Sequence, residues 1–269
     1  MENLPPIFLI SYNRSRMLRQ AINGIRLQGS YPIIVQDNGS TDPEVHILLK
    51  ELEDEGVKVH RRPAIHSPDQ LINVQQSINE WFLSNPQSDY VVSDCDIDIS
   101  HFHKDWLRVY RHLLGKYPGL GCVGCMLRVR DVPYSYPARR RMMNRFVEEF
   151  WVRKPVIEDL PEGFEMRQVA YLRGRIDTTF ALHRKGAPFR RMKACMRVYA
   201  PYEGLHLDWY PNYQSYHNNR VNGISHWGNP QYKAQFKNDT MRYNQYWDVE
   251  VYDEDQLRYV RRNTRGIYL

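Results

Sequence analysis

Residues 33–60 read IIVQDNGSTDPEVHILLKELEDEGVKVH, and the succession of residue types in this stretch decides the fold class. Ile33-Ile34-Val35 is a short β-branched run that ends at Gln36-Asp37, the composition of a buried strand. Ser40-Thr41-Asp42-Pro43 reads as a helix start, with a capping hydroxyl and a proline in the first turn. Leu48, Leu49 and Leu52 give that helix one apolar face and Gly56 stops it. Val57 to His60 is a further strand. Strand, helix and strand in so short a span make a βαβ unit.

The same alternation continues outward in both directions. Ile7 to Ser11 is an apolar strand, followed by a helix in which Leu18, Ile22 and Ile25 recur at helical spacing. A helix from about Asp69 to Leu83 precedes a fourth strand, Tyr90-Val91-Val92, ending in Ser93-Asp94. Alternation of this kind implies parallel pairing with right-handed crossovers and helices on both faces. The expected fold class is α/β: a single Rossmann-like domain over residues 1–269 with a mostly parallel central sheet flanked by helices. Gly121 to Val129 and Asp177 to His183 are expected to add strands. The chain from about Tyr199, rich in Tyr, Trp, His and Asn, reads as loops and short helices. There is no internal repeat and no linker-like stretch.

Composition narrows the function classes. The 269 residues are 42% hydrophobic and 25% charged, ordinary for a globular chain. The net charge of +6 suits a phosphate-bearing ligand, nucleic acid or an anionic membrane face. Basic residues are dispersed except at Arg139-Arg140-Arg141, so no nucleic-acid partner is expected. No apolar run reaches the length of a signal-peptide core or a membrane span, which points to a cytoplasmic protein or one at a membrane surface. The basic, amphipathic segment Arg139 to Trp151, with Met142, Met143 and Phe146, is the candidate peripheral membrane contact, although a solvated helix face is the commoner origin of such a pattern. Cys122 and Cys125 form a lone CxxC inside an apolar run, with no second pair. With Cys95 and Cys195 they read as reduced core thiols.

In parallel sheets ligands bind beyond the carboxyl ends of the strands, so the residues after each strand carry the functional reading. Here they are Ser11-Tyr12-Asn13-Arg14, Asp37-Asn38-Gly39-Ser40 and Asp94-Cys95-Asp96-Ile97-Asp98. Carboxylates two residues apart at a strand end can converge on one hard cation, and oxygen ligands suit magnesium or manganese. A solvated Asp-x-Asp loop is the bland alternative, but the position beyond a buried strand favours the metal. Asp37 either caps its own turn or accepts hydrogen bonds from a base or ribose. No P-loop occurs, and no G-x-G-x-x-G follows any of these strands, so a bound diphosphate would rely on a metal for neutralisation.

Ile7 to Arg14, Val35 to Asp42 and Val91 to Asp96, in this order and spacing, resemble the GT-A fold glycosyltransferases, particularly the family-2-like group. The resemblance implies a nucleotide-sugar-binding half over residues 1–100 and an acceptor-binding half over residues 101–269. It implies that Ser11, Tyr12, Asn13, Arg14, Asp37 and Asn38 hold the donor nucleotide. Asp94 and Asp96 match the family's DxD motif, Asp94 near ribose and metal, Asp96 on metal and diphosphate. The strand Asp177-Thr178-Thr179-Phe180-Ala181-Leu182 and the motif His206-Leu207-Asp208-Trp209-Tyr210 are similar to a subset of these enzymes, in which this region supplies a catalytic acid or a further metal ligand. His206 and Asp208 stand where the family commonly has a Glu-Asp pair.

Sugar transfer requires charge stabilisation on the leaving diphosphate and, for inversion, a base for the acceptor hydroxyl. Asp208 is the first choice as base and Asp177 the second. His206 is the candidate that completes the metal shell, with His226 as its rival. Trp209, Tyr210 and Trp227 either stack on a sugar or belong to the core. The expected activity is metal-dependent (Mn2+ or Mg2+) glycosyl transfer from a nucleotide-diphosphate sugar, UDP favoured, to a glycan or lipid-linked glycan, as in polysaccharide biosynthesis. A sugar nucleotidyltransferase would need a glycine-rich loop after the first strand, which Ser11-Tyr12-Asn13-Arg14 lacks. A nucleotide-sugar-binding module without activity is the non-enzymatic alternative.

Overall fold

The computed structural model describes residues 4–63, 71–129, 132–133, 136, 146–151, 153–189, 193–210, 249–253 and 258–262. Its first half follows the alternation of the sequence: β1 (Ile7–Ser11), α1 (Ser15–Gln28), β2 (Ile33–Asp37), α2 (Pro43–Asp54), β3 (Lys58–Arg61), α3 (Leu71–Ser84) and β4 (Tyr90–Asp94). β3, β2, β1 and β4 lie side by side in parallel register.

The strands are apolar on both sides because both faces are covered. Ile7 and Leu9 of β1, Val35 of β2 and Val91 of β4 enter a large core with the apolar faces of α1 and α2. Phe8, Ile34, Tyr90 and Val92 point the other way, onto Val74 and Ile78 of α3. This period of two is the strand geometry that lets one strand serve two cores. From α1, Met17, Leu18, Ile22 and Ile25 are fully or almost fully buried, and each such side chain contributes roughly 1.5–3 kcal/mol. At the start of α2 the cap is Asp42, whose carboxylate accepts from Glu44 N at 3.0 Å, and not the expected Ser40 or Thr41 hydroxyl. Ser40 is drawn instead to Asp37.

The second half adds β5 (Ile97–Asp98), α4 (Trp106–Lys116), β6 (Cys122–Leu127), β7 (Val156–Asp159), β8 (Gln168–Ile176), β9 (Ala181–His183) and β10 (Lys193–His206). The sheet order is β3-β2-β1-β4-β9-β6-β10-β8-β7, with β5 against the end of β10. Along that path β8 and β9 run against the direction shared by all the other strands. β9 is thus an antiparallel spacer that joins the N-terminal and C-terminal parallel segments. α4 packs Trp106, Tyr110 and Leu113 into the larger core.

Two sequence expectations change here. The region from Tyr199 is a strand as far as His206, not loop. Tyr199 and Tyr202 are wholly buried, so residues that read as polar by composition serve as core. A further antiparallel pair, β11 (Val249–Asp253) with β12 (Arg258–Arg262), lies later in the same region. In the expected strand Asp177 to His183 only Ala181–His183 pairs, because the preceding residues bend around Asp94. β7 and β8 had no sequence expectation. In β8 the exposed Arg173 and Arg175 interrupt the apolar pattern.

Candidate functional site

Ser11, Asp37 and Asp94 terminate β1, β2 and β4, and the register sets them at one edge: Ser11 opposite Asp37, Ile10 opposite Asp94. Backbone bonds carry the pairing one residue further, from Asn38 N to Ser11 O at 2.9 Å and from Cys95 N to Ile10 O at 3.0 Å. The two loops are therefore held as continuations of the sheet.

The loop after β1 is fixed through Asn13. Its backbone adopts φ 50°, a left-handed conformation that asparagine tolerates better than most residues. Its Oδ1 accepts from Thr41 N at 2.7 Å and Asp42 N at 2.9 Å, and its own N–H donates to Ser40 Oγ at 2.9 Å. Asn13 is a brace between two loops. Asp37 is buried and accepts from both the N–H and the hydroxyl of Ser40, so the turn-capping role holds for it. Asn38 Oδ1 accepts from Asn73 Nδ2 at 3.1 Å, and behind it Gln36, Ser77 and His60 continue a buried polar chain between β2, β3 and α3. Tyr12 is half-buried.

The acidic cluster separates into distinct environments. Thr178 donates its hydroxyl to Asp94 Oδ2, and Asp94 N donates to Thr178 O at 2.6 Å. Thr178 positions Asp94, a role unread in the sequence although the Asp-Thr-Thr run was singled out. Asp98 turns away to α1, accepting from Gln20 Nε2 at 3.0 Å and Ser100 N at 2.8 Å. Asp96 lies between them with its side chain only 4% exposed. Its Oδ2 is ion-paired with Arg14 and stands 3.8 Å from His206 Nε2, while its Oδ1 has no hydrogen-bond partner among the described residues.

Arg14 is the charge at the centre. Burial opposes its ionisation, but Asp96 first, then Asp208, with Asp94 further off, more than offset that and hold its pKa above the ordinary guanidinium value. Asp208, itself buried, enters because Leu207–Trp209 forms a short 3-10 turn directly after β10. His206 stacks on Trp209 with ring centroids 4.6 Å apart and an interplanar angle of 8°. His206 and Asp208 thus both border the Arg14–Asp96 pair. Asp177 sits at the neighbouring bend, its Oδ1 accepting from Thr179 Oγ1 at 2.8 Å.

Among the described residues, the buried atoms Ser11 Oγ, Asp96 Oδ1 and His206 Nδ1 have no hydrogen-bond partner, although buried polar groups are normally satisfied. Among the described residues no group of three or more His, Cys, Asp or Glu is arranged to hold a metal. Asp94 and Asp96 nevertheless offer hard oxygen donors. A magnesium or manganese site of one or two carboxylates draws its remaining ligands from water and phosphate, and that chemistry fits.

Several other expected residues fall elsewhere. His226 and Trp227 lie outside the described residues, as does Arg139 to Arg145. Phe146, Phe150 and Trp151, the aromatic part of the expected membrane contact, are buried in the core, with Phe146 packed edge-on to Trp209. Trp209 is fully buried and is core rather than a sugar platform. Among the described residues no helix is long and apolar enough to cross a membrane. Cys122 and Cys125 fall in different core clusters; all four cysteines are buried, and Cys122 Sγ lies 2.7 Å from Cys195 Sγ. A cavity of about 480 Å³, lined in part by Tyr117, Leu120, Arg173 and Cys195, opens at the starts of β6 and β10 and contains none of the site residues.

No protein-family model and no curated protein sequence matches the chain. Solved structures align with it at low identity. The structure of S. aureus TarS 1-349 matches at 13% identity over 67% of this chain and 47% of that one, with a TM-score of 0.38. Glucosyl-3-phosphoglycerate synthase from Mycobacterium tuberculosis, in complex with Mn2+, UDP-glucose and glycerol 3-phosphate, matches at 15% over 67% and 56%, with a TM-score of 0.36. An active-site mutant of LgtC matches at 9% over 66% and 57%, with a TM-score of 0.34. The chain spans about half the length of these solved chains.

Proposed function

We propose that this chain is a glycosyltransferase that takes a sugar from a nucleotide-diphosphate donor, a UDP-sugar in the first instance, with a divalent cation. The observation that carries the reading is the convergence of Arg14, Asp96, His206 and Asp208 where the end of β10 meets the carboxyl ends of β1 and β4, with Asp94 at the adjoining strand end. A mixed set of carboxylates and one guanidinium suits a ligand that arrives as a diphosphate with its counter-cation.

In this reading the Asn13 brace and Asp37-Asn38 form the floor under the nucleoside, and Ser11 Oγ is a free hydrogen-bonding group at that floor. Asp94, steadied by Thr178, faces the ribose side, and Asp96 the diphosphate side. Arg14 binds phosphate oxygens. The cation, when bound, supplies Lewis-acid stabilisation of the departing diphosphate. Asp208 accepts the proton of the acceptor hydroxyl, with Asp177 the alternative base. The acceptor is read as a glycan or a lipid-linked glycan.

The test is a screen of UDP-, GDP-, CDP- and dTDP-sugars for binding and for hydrolysis or transfer, each with Mn2+, with Mg2+ and with chelator. Binding of one nucleotide-sugar that metal tightens, with that tightening lost in Asp96→Ala, supports the reading. Failure of every nucleotide-sugar to bind sinks it.

A further inference from the structure

The pairing of Arg14 with Asp96 has a consequence for the order of binding, which rests on the donor-site reading above. Asp96 has one oxygen engaged by a guanidinium and the other without a partner, in a side chain almost wholly shielded from solvent. Asp94 and Asp208 add negative potential around the same guanidinium. The backbone of Arg14 is held at the cap of α1, next to the braced Asn13, whereas its side chain keeps 25% of its surface exposed. The anchor is fixed at the backbone, and the side chain is the partly exposed part of the residue.

We propose that Arg14 is an internal competitor for the cation site: without nucleotide its guanidinium occupies Asp96, and the donor diphosphate draws it away, making cation binding conditional on the nucleotide. Three physical facts support this. A guanidinium and a divalent cation on the same small carboxylate repel each other strongly in a shielded site. The guanidinium fork matches phosphate as well as carboxylate, so a diphosphate offers an equivalent set of acceptors. Finally, coupling between two ligands is reciprocal, so a nucleotide that frees Asp96 raises cation affinity by the factor by which the cation raises nucleotide affinity. Arg14 acts here as a positioning residue: it offsets part of the negative charge of Asp94, Asp96 and Asp208 until the complete ligand set arrives.

The test is Mn2+ binding to the full chain, followed by the electron paramagnetic resonance of free Mn2+, with and without saturating UDP and corrected for Mn2+ held by UDP in solution. For the wild type, UDP should tighten Mn2+ binding by about 5- to 150-fold, the usual range of such coupling. Arg14→Gln should bind Mn2+ alone more tightly than wild type, and UDP should then tighten it by a smaller factor than in the wild type, the part that phosphate ligation of the cation supplies. Arg14→Lys keeps a competing charge and should behave as wild type. Equal Mn2+ affinity with and without UDP in the wild type overturns the proposal, and so does an Arg14→Gln variant whose affinity for Mn2+ alone is unchanged. If Arg14→Gln does not fold, Arg14→Met provides the same comparison, with the same two outcomes. UDP that binds with Mn2+ and is lost in Asp96→Ala, yet is indifferent to Arg14, sinks the competition and leaves the donor site standing. Absence of UDP binding to every protein removes both.

Discussion

Leu207 donates its backbone N–H to the carbonyl of Asp96 at 2.7 Å, and this one bond joins the turn of the acidic cluster to the end of β10. The preceding pair, His206 with Ile97, makes the same junction as a strand ladder. His206 and Asp208 flank the bonded residue, so both are delivered to the Arg14–Asp96 pair by backbone, without dependence on their own side chains. Their substitution should therefore report on chemistry more than on folding. Asp208→Asn should keep donor affinity and lose transfer by at least about 100-fold, as expected for a general base. His206→Ala should raise the Mn2+ concentration needed for half-maximal nucleotide binding. Steady-state transfer rates and nucleotide titrations check both, and full transfer by Asp208→Asn would hand the base role to Asp177.

Asp96→Ala should abolish the difference in nucleotide affinity between Mn2+ and chelator. It also leaves Arg14 facing Asp94 and Asp208 alone, so the guanidinium remains available to phosphate and a weak, metal-independent binding should persist. Calorimetric titration with UDP under both conditions separates the two effects. A variant still tightened by Mn2+ would show that the cation sits elsewhere.

Asp37→Ala should weaken nucleotide binding and also cost stability. Two bonds to Ser40 are lost from a buried turn, and unsatisfied buried groups cost about 1–3 kcal/mol. Chemical denaturation gives the stability change. Asp37→Asn, which keeps acceptor capacity at one oxygen, should recover part of it. Unchanged stability in Asp37→Ala would contradict the bonding described for this turn.

Gly24→Ala should destabilise the chain although alanine favours helix. A Cβ at Gly24 would overlap Asp98 Oδ1 and crowd Ser100 N at 3.2 Å, where α1 meets the loop beyond β5. Overpacking of this kind costs about 1–3 kcal/mol, or a melting temperature lower by very roughly 2–10 °C in a chain of this size. A melting temperature equal to wild type would mean that the loop moves freely, contrary to the bonds that hold Asp98.

Mild acid should loosen the support behind the nucleoside floor. Burial lowers the pKa of His60, with Lys58 and Arg62 acting in the same direction and Glu80 opposing them. A lowered folded-state value means that the unfolded chain takes up the proton first. The stability from neutral His60 is therefore complete above the unfolded value of about 6.5 and is lost as pH falls through the folded value. Thermal melts at about pH 7.5 and about pH 5.5 should show a smaller drop in His60→Gln than in the wild type. An identical drop would remove His60 from the account.

Much of this arrangement is written locally. The strand and helix of each N-terminal unit follow from apolar periodicity, which depends only on neighbours within a turn or a pleat, and each strand end carries its polar residues in the same short window. Ser11, Asp37 and Asp94 could thus be placed at one edge from the alternation alone. Asn13 as a brace and Thr178 as the support of Asp94 could not, because their partners lie in other loops.

The sequence by itself determined the α/β class, the parallel pairing of the first half and the acidic strand end beyond β4. Tertiary structure alone decided that β9 enters antiparallel between β4 and β6, that Tyr199 and Tyr202 continue a long strand instead of a loop, and that Asp98 leaves the cluster while Arg14 joins it. The physical reason is the range of the forces involved. Side-chain periodicity is set by covalent neighbours, but the pairing of a carboxylate with one cation among many depends on which distant loops the sheet brings to the same edge.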